Sequence, residues 1–236
     1  MSAIEDGLRD AIGVTRGAEA ADRLCQACVG LLDVDAAAVS LVFDGANAGT
    51  FGASGERARM YDELQFTVGE GPCIDSVAHR APVIAADLAD PDERRWPAYA
   101  PVMISYQIRG VYAIPLVVAG EYIGALDLFR GFPDHPVAEQ ISGMVVAAEL
   151  AQLPLLDLLS VDLQAAVADP ESNAWAELNA LSRTEVGQAT GVLMAQLNVD
   201  SAAALARLRA YAYATGASAT SVARDIIERR LRLESD

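Results

Sequence analysis

The chain has 236 residues, enough for one large domain or for one medium and one small one. An apolar fraction of 53% supports real hydrophobic cores, and three cysteines, an odd number, argue against a disulfide framework. The formal charge of −16 is unevenly placed: residues 1–171 hold 10 Arg and 26 Asp plus Glu, whereas residues 172–236 hold seven of each. All 17 basic residues are Arg, and the denser basic groups lie in the tail. The N-terminus is polar and acidic, without the apolar core of a secretory signal, and no run approaches 18 apolar residues. The expected location is therefore the cytoplasm, with no membrane partner.

Ser2 to Leu32 reads as an amphipathic helix, with Ile4, Leu8 and Ile12 and then Ala20, Leu24, Cys28 and Leu31 at helical spacing and a break between Gly13 and Gly17. Within it, Cys25 and Cys28 form a C-x-x-C. A redox or metal role would need a second pair or a preceding thioredoxin-like strand, and neither is present. These are expected to be inert core cysteines. Ala36 to Phe43 is a strand with Val39, Leu41 and Phe43 on one face. Asp44 to Gly49 reads as a turn, and Thr50 to Ala53 begins the return strand. Ser54 to Phe66 is a short helix, followed by Gly69-Glu-Gly-Pro-Cys73, a helical segment through His79 and a strand from Pro82 to Ala86. A polar loop, a helix from Tyr99 to Tyr106 and a hairpin of Ile108–Val118 with Tyr122–Arg130 come next. A long apolar helix from Val137 to Leu159 carries Pro154 as a potential kink. Its stripe of Leu150, Leu153, Leu156, Leu159 and Leu163 suits either a dimer seam or packing on its own sheet.

These elements predict an α+β domain with a mainly antiparallel sheet and flanking helices over residues 1–160. Asp-Pro and Ser-Asn then break the periodicity, which places a partly helical linker at 161–174. Residues 175–236 predict three helices: one from about Ser172 to Leu197, a second from Ala202 to Thr215 stopped by Gly216, and a third capped by Ser218 or Thr220 and running to about Leu233. Leu205, Leu208 and Ala212 are the expected inward positions of the second. Gly187 and Gly191 fall four apart inside the first helix, a spacing that suggests close approach by another helix or a ligand. A bundle of this size is marginal without a partner.

Gly69-Glu-Gly-Pro-Cys73, Asp87, Arg95-Trp96-Pro97, Val111-Tyr-Ala-Ile-Pro-Leu116 and Tyr122-Ile-Gly-Ala-Leu-Asp-Leu128, in this order, resemble a GAF domain. The resemblance implies a sensor of a small ligand or signal with its pocket on one side of the sheet. It names no ligand residues and no cofactor. The Asn-Lys-Phe-Asp signature of cyclic-nucleotide-binding members cannot occur in a chain without Lys.

Gln188-Ala-Thr-Gly-Val-Leu-Met194, Ala204-Leu205-x-x-Leu208-Arg209-x-Tyr-Ala212 and Ser218-x-x-Ser-Val222-Ala223-x-x-Ile226 resemble an ANTAR domain. That resemblance implies a dimeric output module that binds paired stem-loops in nascent RNA and so prevents termination. Thr190 stands where many members carry Lys. The candidate RNA-binding residues are Arg183, Gln188, Thr190 and Gly191 on the first helix, Arg207 and Arg209 on the second, and Ser218, Thr220 and Arg224 at the start of the third. There a helix N-terminus favours phosphate, and Arg can stack or pair. Arg229, Arg230 and Arg232 read as a solvated face.

Cys73 follows a Gly-x-Gly-Pro turn. It reads either as a thiol activated near a helix N-terminus or as a small residue closing the pocket wall. His79 and His135 are isolated. The acidic loop Asp87, Asp90, Asp92 and Glu93 lacks the spacing and Gly of a calcium loop, so no metal site is expected. The expectation is a signal-responsive, homodimeric RNA-binding regulator that promotes transcription antitermination and performs no catalysis. The alternatives are a GAF-type thiol or redox enzyme using Cys73 and an adaptor with a helical docking tail.

Overall fold

A computed structural model describes residues 3–43, 45–118, 120–157 and 183–234. The elements are α1 (Ala3–Ile12), α2 (Gly17–Leu31), β1 (Ala36–Phe43), β2 (Ala46–Ala53), α3 (Glu56–Val68), α4 (Pro72–His79), β3 (Val83–Ala85), α5 (Tyr99–Ser105), β4 (Gly110–Val118), β5 (Glu121–Arg130), α6 (Ala138–Asp157), α7 (Thr184–Leu197), α8 (Ser201–Thr215) and α9 (Ala219–Ile227). The five strands form one sheet in the order β2-β1-β5-β4-β3, and every pairing is antiparallel. The predicted α+β sheet with flanking helices is therefore present, and among the described residues three helices follow it.

Alternation along the strands divides the sheet between two layers. Val39 and Leu41 of β1, Tyr112, Ile114 and Leu116 of β4, and Leu126 and Leu128 of β5 face α1, α2 and α6. The opposite parity, with Ala36, Ala38, Val42, Val111, Ala113, Ala125 and Phe129, faces α3, α4 and α5. On this second face β1 and β5 present mostly small side chains. The space left beside them holds the polar cluster described below.

Several boundaries differ from expectation. The β1–β2 turn is tighter, because Gly45 takes φ 72 and pairing resumes at Ala46. The first C-terminal helix begins at Thr184, after Arg183 in a left-handed conformation (φ 44, ψ 48). The third ends at Ile227, with Arg229 at φ 60 turning the chain away. In α8 it is Ala204, with Leu208 and Ala212, that is fully buried, and Leu205 is only partly covered. Leu150 packs in the core, whereas Leu153 and Leu156 are exposed. Leu159, Leu163 and the proposed linker 161–174 lie outside the described residues.

No other side chain approaches Gly187 or Gly191: a Cβ at either would meet nothing within 4 Å. Among the described residues the close approach expected there does not occur, and the strip is open. Gly124 is the opposite case, since a Cβ there would overlap the carbonyl oxygen of Ser40 on the neighbouring strand. Gly124→Ala should therefore destabilise by about 1–3 kcal/mol, as overpacking does. Gly191→Ala should stabilise by about 0.5–1 kcal/mol, through helix propensity alone. Urea denaturation of the two variants beside the native chain checks both signs.

Candidate nucleic-acid interface and the polar core beneath it

The three C-terminal helices bury Val186, Ala189 and Leu193 of α7, Ala204, Leu208 and Ala212 of α8, and Ala219, Val222, Ala223 and Ile226 of α9 against one another. Leu197 of α7 also belongs to this core, and so does Phe66, from α3 of the first domain. Asp200 and Ser218 cap α8 and α9 by accepting from the amides of Ala203 and Ser221. The bundle thus completes its core on the sensor side of the chain.

That docking governs where the candidate RNA-binding residues fall. Arg183, expected on an exposed flank, is buried with 7% of its surface accessible. Its Nη1 pairs with the Glu63 carboxylate, and its Nη2 donates to Asn47 Oδ1 at 2.9 Å. Its guanidinium lies 4.1 Å from the centroid of the Phe66 ring. Burial pulls the Arg183 pKa down to about 10, with the Arg209 charge adding to the fall and Asp62 opposing it, so the group stays cationic at neutral pH. Arg209 also stands over Phe66, at 4.5 Å, and burial lowers its pKa. Thr220 donates its hydroxyl to Glu63 Oε1 at 2.8 Å, and its amide donates to the same oxygen at 3.2 Å. The neighbouring Ala219 amide donates to Thr67 Oγ1 at 3.1 Å.

The N-terminus of α9, expected to favour phosphate, therefore already faces an anion, the carboxylate of Glu63. Of the remaining candidates, Gln188, Gly191 and Arg224 are exposed, and Arg207 and Ser218 are partly so. Arg224 reaches Glu185 at 3.4 Å. Thr190 returns its hydroxyl to the Val186 carbonyl of its own helix at 2.7 Å. The nine residues thus split between an open face and one closed against α3. An open cleft of about 610 Å³ runs along this junction, lined by Arg59, Glu63, Tyr106, Tyr213, Thr220 and Arg224 among others.

Beneath the junction lies a polar cluster that the sequence reading missed. Asp62 of α3 accepts from Ser40 Oγ and Asn47 Nδ2, each at 2.5 Å, and from Thr50 Oγ1. Asp127 of β5 accepts from Gln65 Nε2 at 3.1 Å and lies 2.6 Å from the same Ser40 hydroxyl. Ser40 has one proton for two carboxylates, so one contact must be a carboxylic acid donating to Ser40. Asp127 is that acid: burial, and then the Asp62 charge, push its carboxyl well above the usual range. Gln65 Oε1 accepts from the Cys73 amide at 2.9 Å, and Asn47 Nδ2 lies 3.5 Å from Cys73 Sγ. Strand parity held the signal for this cluster. Ser40 shares a face with Ala38, and Asp127 shares one with Ala125 and Phe129, so both had to point into the α3 layer.

The turn at Gly69–Gly71 sets Cys73 in place. Gly69 ends α3 in the left-handed region at φ 75, and Gly71, at φ 151, lies against the Gln65 side chain. Cys73 does sit in the first turn of α4, yet it is fully buried, and burial above all, beside the acidic pair Asp127 and Asp62, pushes its thiol well up. Desolvation opposes the helix terminus and disfavours an activated thiol, and Cys73 packs as a small residue in the core on this face of the sheet. Cys25 and Cys28 are likewise buried, in the core on the other face of the sheet. Burial raises both, Cys28 to about 12. His79 and His135 are exposed. In the acidic loop Asp87 pairs with Arg109 and Glu93 with Arg95, as in a solvated loop.

Comparison with known proteins agrees with this division. A GAF domain model matches residues 18–151, and an ANTAR domain model matches residues 177–227. No curated protein matches the sequence. Among solved structures, the GAF domain of a phosphoenolpyruvate-protein phosphotransferase from Acinetobacter is 15% identical with a TM-score of 0.51, over 66% of this chain and 96% of that one. A GAF domain of a phosphoenolpyruvate-protein phosphotransferase from Coxiella burnetii is 18% identical with a TM-score of 0.49, over 70% and 93%. Reduced fRMsr of Staphylococcus aureus is 13% identical with a TM-score of 0.49, over 64% and 92%. With the GAF model spanning more than half of its length, the chain belongs to the GAF domain family, and its C-terminal helices are an ANTAR domain.

Proposed function

We propose that the protein is a signal-responsive RNA-binding regulator that promotes transcription antitermination by holding stem-loops of nascent RNA, and that the closed arrangement of its two domains is its resting form. One observation carries this reading: Glu63 of the sensor occupies, with a carboxylate, the Arg183 side chain and the α9 N-terminus that would otherwise meet phosphate. An internal carboxylate and RNA then compete for the same donors. Release frees Arg183, Arg209 and Thr220 beside the already open Gln188, Gly191 and Arg224. The ANTAR helices carry no net excess of positive charge, so a single copy attracts RNA weakly. Paired hairpins call for two copies, and we assign the open strip of Gly187, Gly191, Val192 and Met194 on α7 to that association or to the RNA itself.

The thiol-enzyme alternative finds less support. A cysteine relay needs a second thiol within reach, and the sheet separates Cys73 from Cys25 and Cys28. Iodoacetamide should label none of the three at neutral pH in the folded chain and all three after unfolding, as counted by intact mass; rapid native labelling of Cys73 would restore the enzyme reading.

The regulatory reading is tested by gel shift on a two-hairpin RNA. Glu63→Ala should tighten binding about tenfold, corresponding to about 1.4 kcal/mol of lost competition. Asp10→Ala, which makes the same charge change on α1, should leave affinity within about twofold. Arg209→Ala in the Glu63→Ala background should reverse the gain. If no variant binds RNA, the helical tail is a protein-docking module instead.

A further inference from the structure

The cluster under the latch has the makings of a site in its own right. One oxygen each of Asp62 and Asp127 and the sulfur of Cys73 lie within 4.8 Å of one another, and all three residues are fully buried. The rest of their shell is orderly: Ser40, Asn47 and Thr50 serve Asp62, and Ser40 and Gln65 serve Oδ2 of Asp127. Two polar atoms stand outside this order. Asp127 Oδ1 and the hydroxyl of Tyr99 are buried, and neither has a hydrogen-bond partner. Tyr99 is fully covered and belongs to the same core cluster as Cys73 on this face of the sheet. Leaving such atoms bare is costly, because their lost hydration is not replaced. An orphaned carboxylate oxygen in a carboxylate–thiol set and an orphaned phenol in the same core point to a missing guest that bonds to oxygen and sulfur alike.

We propose that Asp62, Cys73 and Asp127 form a binding site for one divalent transition-metal cation of the zinc or ferrous class. The donor set selects this class. A thiolate disfavours magnesium and calcium, whose ligands are oxygen, and two carboxylates disfavour cuprous ion. Binding replaces the Cys73 S–H and the Asp127 O–H bonds by bonds to the metal, and both protons leave to solvent. A dication enters as two protons depart, so the buried charge does not change.

The site is also wired to the latch, and this part rests on the regulatory reading above. Asn47 donates to Asp62 and Cys73 through Nδ2 and accepts from Arg183 through Oδ1. A cation bonded at about 2.0–2.3 Å takes up the Asp62 and Cys73 atoms that Asn47 now contacts. Asn47, losing those partners, turns from Arg183. Metal is thus an opening signal.

The experiment uses the full chain, stripped with a chelator and titrated with Co²⁺. A thiolate-to-cobalt charge-transfer band should saturate at one equivalent, vanish on adding Zn²⁺, and be absent in Cys73→Ala. It should persist in Cys28→Ala, on the far side of the sheet. Asp127→Asn, close in shape and checked for folding by circular dichroism, should weaken Co²⁺ at least about tenfold. No band from the native chain, or one that survives Cys73→Ala, overturns the site. Hydrogen exchange at the Ala219 and Thr220 amides reads the wiring separately, without RNA. Co²⁺ should speed it about tenfold, and unchanged protection alongside a normal band overturns the coupling while leaving the site.

Discussion

Burying the guanidinium of Arg183 is the constraint on which the two-domain arrangement turns. A cation removed from water must be met by charge and by hydrogen bonds, or it does not stay. Glu63 supplies the charge, Asn47 an acceptor and Phe66 an aromatic face. The match is incomplete. Arg183 Nε and Arg209 Nε are buried without partners, and two cations share one phenyl ring. Each bare donor costs about 1–3 kcal/mol. The closed form is held by strong contacts and undermined by defects in the same place, as suits a joint that is made and broken.

Helix α3 is the mechanical centre because it faces two ways. Asp62 and Gln65, three apart, point into the sheet and reach Ser40, Asp127 and Cys73. Glu63, Phe66 and Thr67, at helical spacing one step around, point to the ANTAR helices. A single turn of helix therefore joins the buried cluster to the output surface. A rotation of α3 by a fraction of a residue would be felt on both sides. Asn47 adds a second path, since its amide bridges Asp62 and Arg183 directly.

Much of the architecture was legible because it is periodic. Alternation along β1, β4 and β5 and the capping at Ser218 and Gly216 rest on local rules that the chain obeys. The ANTAR core was legible in part: Leu208 and Ala212 face inward as expected, whereas Ala204 takes the place expected of Leu205, and Phe66 comes from a helix about 120 residues upstream. The failures were of another kind. Arg183 and Arg209 carry the marks of solvent-exposed side chains, and only the docking of a distant helix covers them. Asp62 and Gln65 sat in a segment of weak periodicity, where polar residues suggest solvent. Their burial follows from Ser40 and Asp127 lying opposite, pairings across 22 and 62 residues of sequence. Cys73 misled in the opposite direction: its local setting at a helix start says reactive, and its global setting says dry.

Charge supplies the remaining step. The first 171 residues carry the whole excess of acid, and the ANTAR segment is neutral. In the closed form that acid acts at contact distance through Glu63, where screening is weak because the pair is largely buried. In the proposed open form, with the domains more than about 8–10 Å apart, salt screens the same field and leaves the arginines to RNA phosphate. A signal that takes the equilibrium from nearly all closed to nearly all open must differ by about 5.5 kcal/mol in its affinity for the two forms. No surface ligand bound by a salt bridge supplies that, because exposed pairs give about 0–1 kcal/mol. A guest in the buried cluster, or a ligand filling the cleft along α3, acts where water is excluded and where differences of that size arise. The latch thus limits where its own trigger can sit.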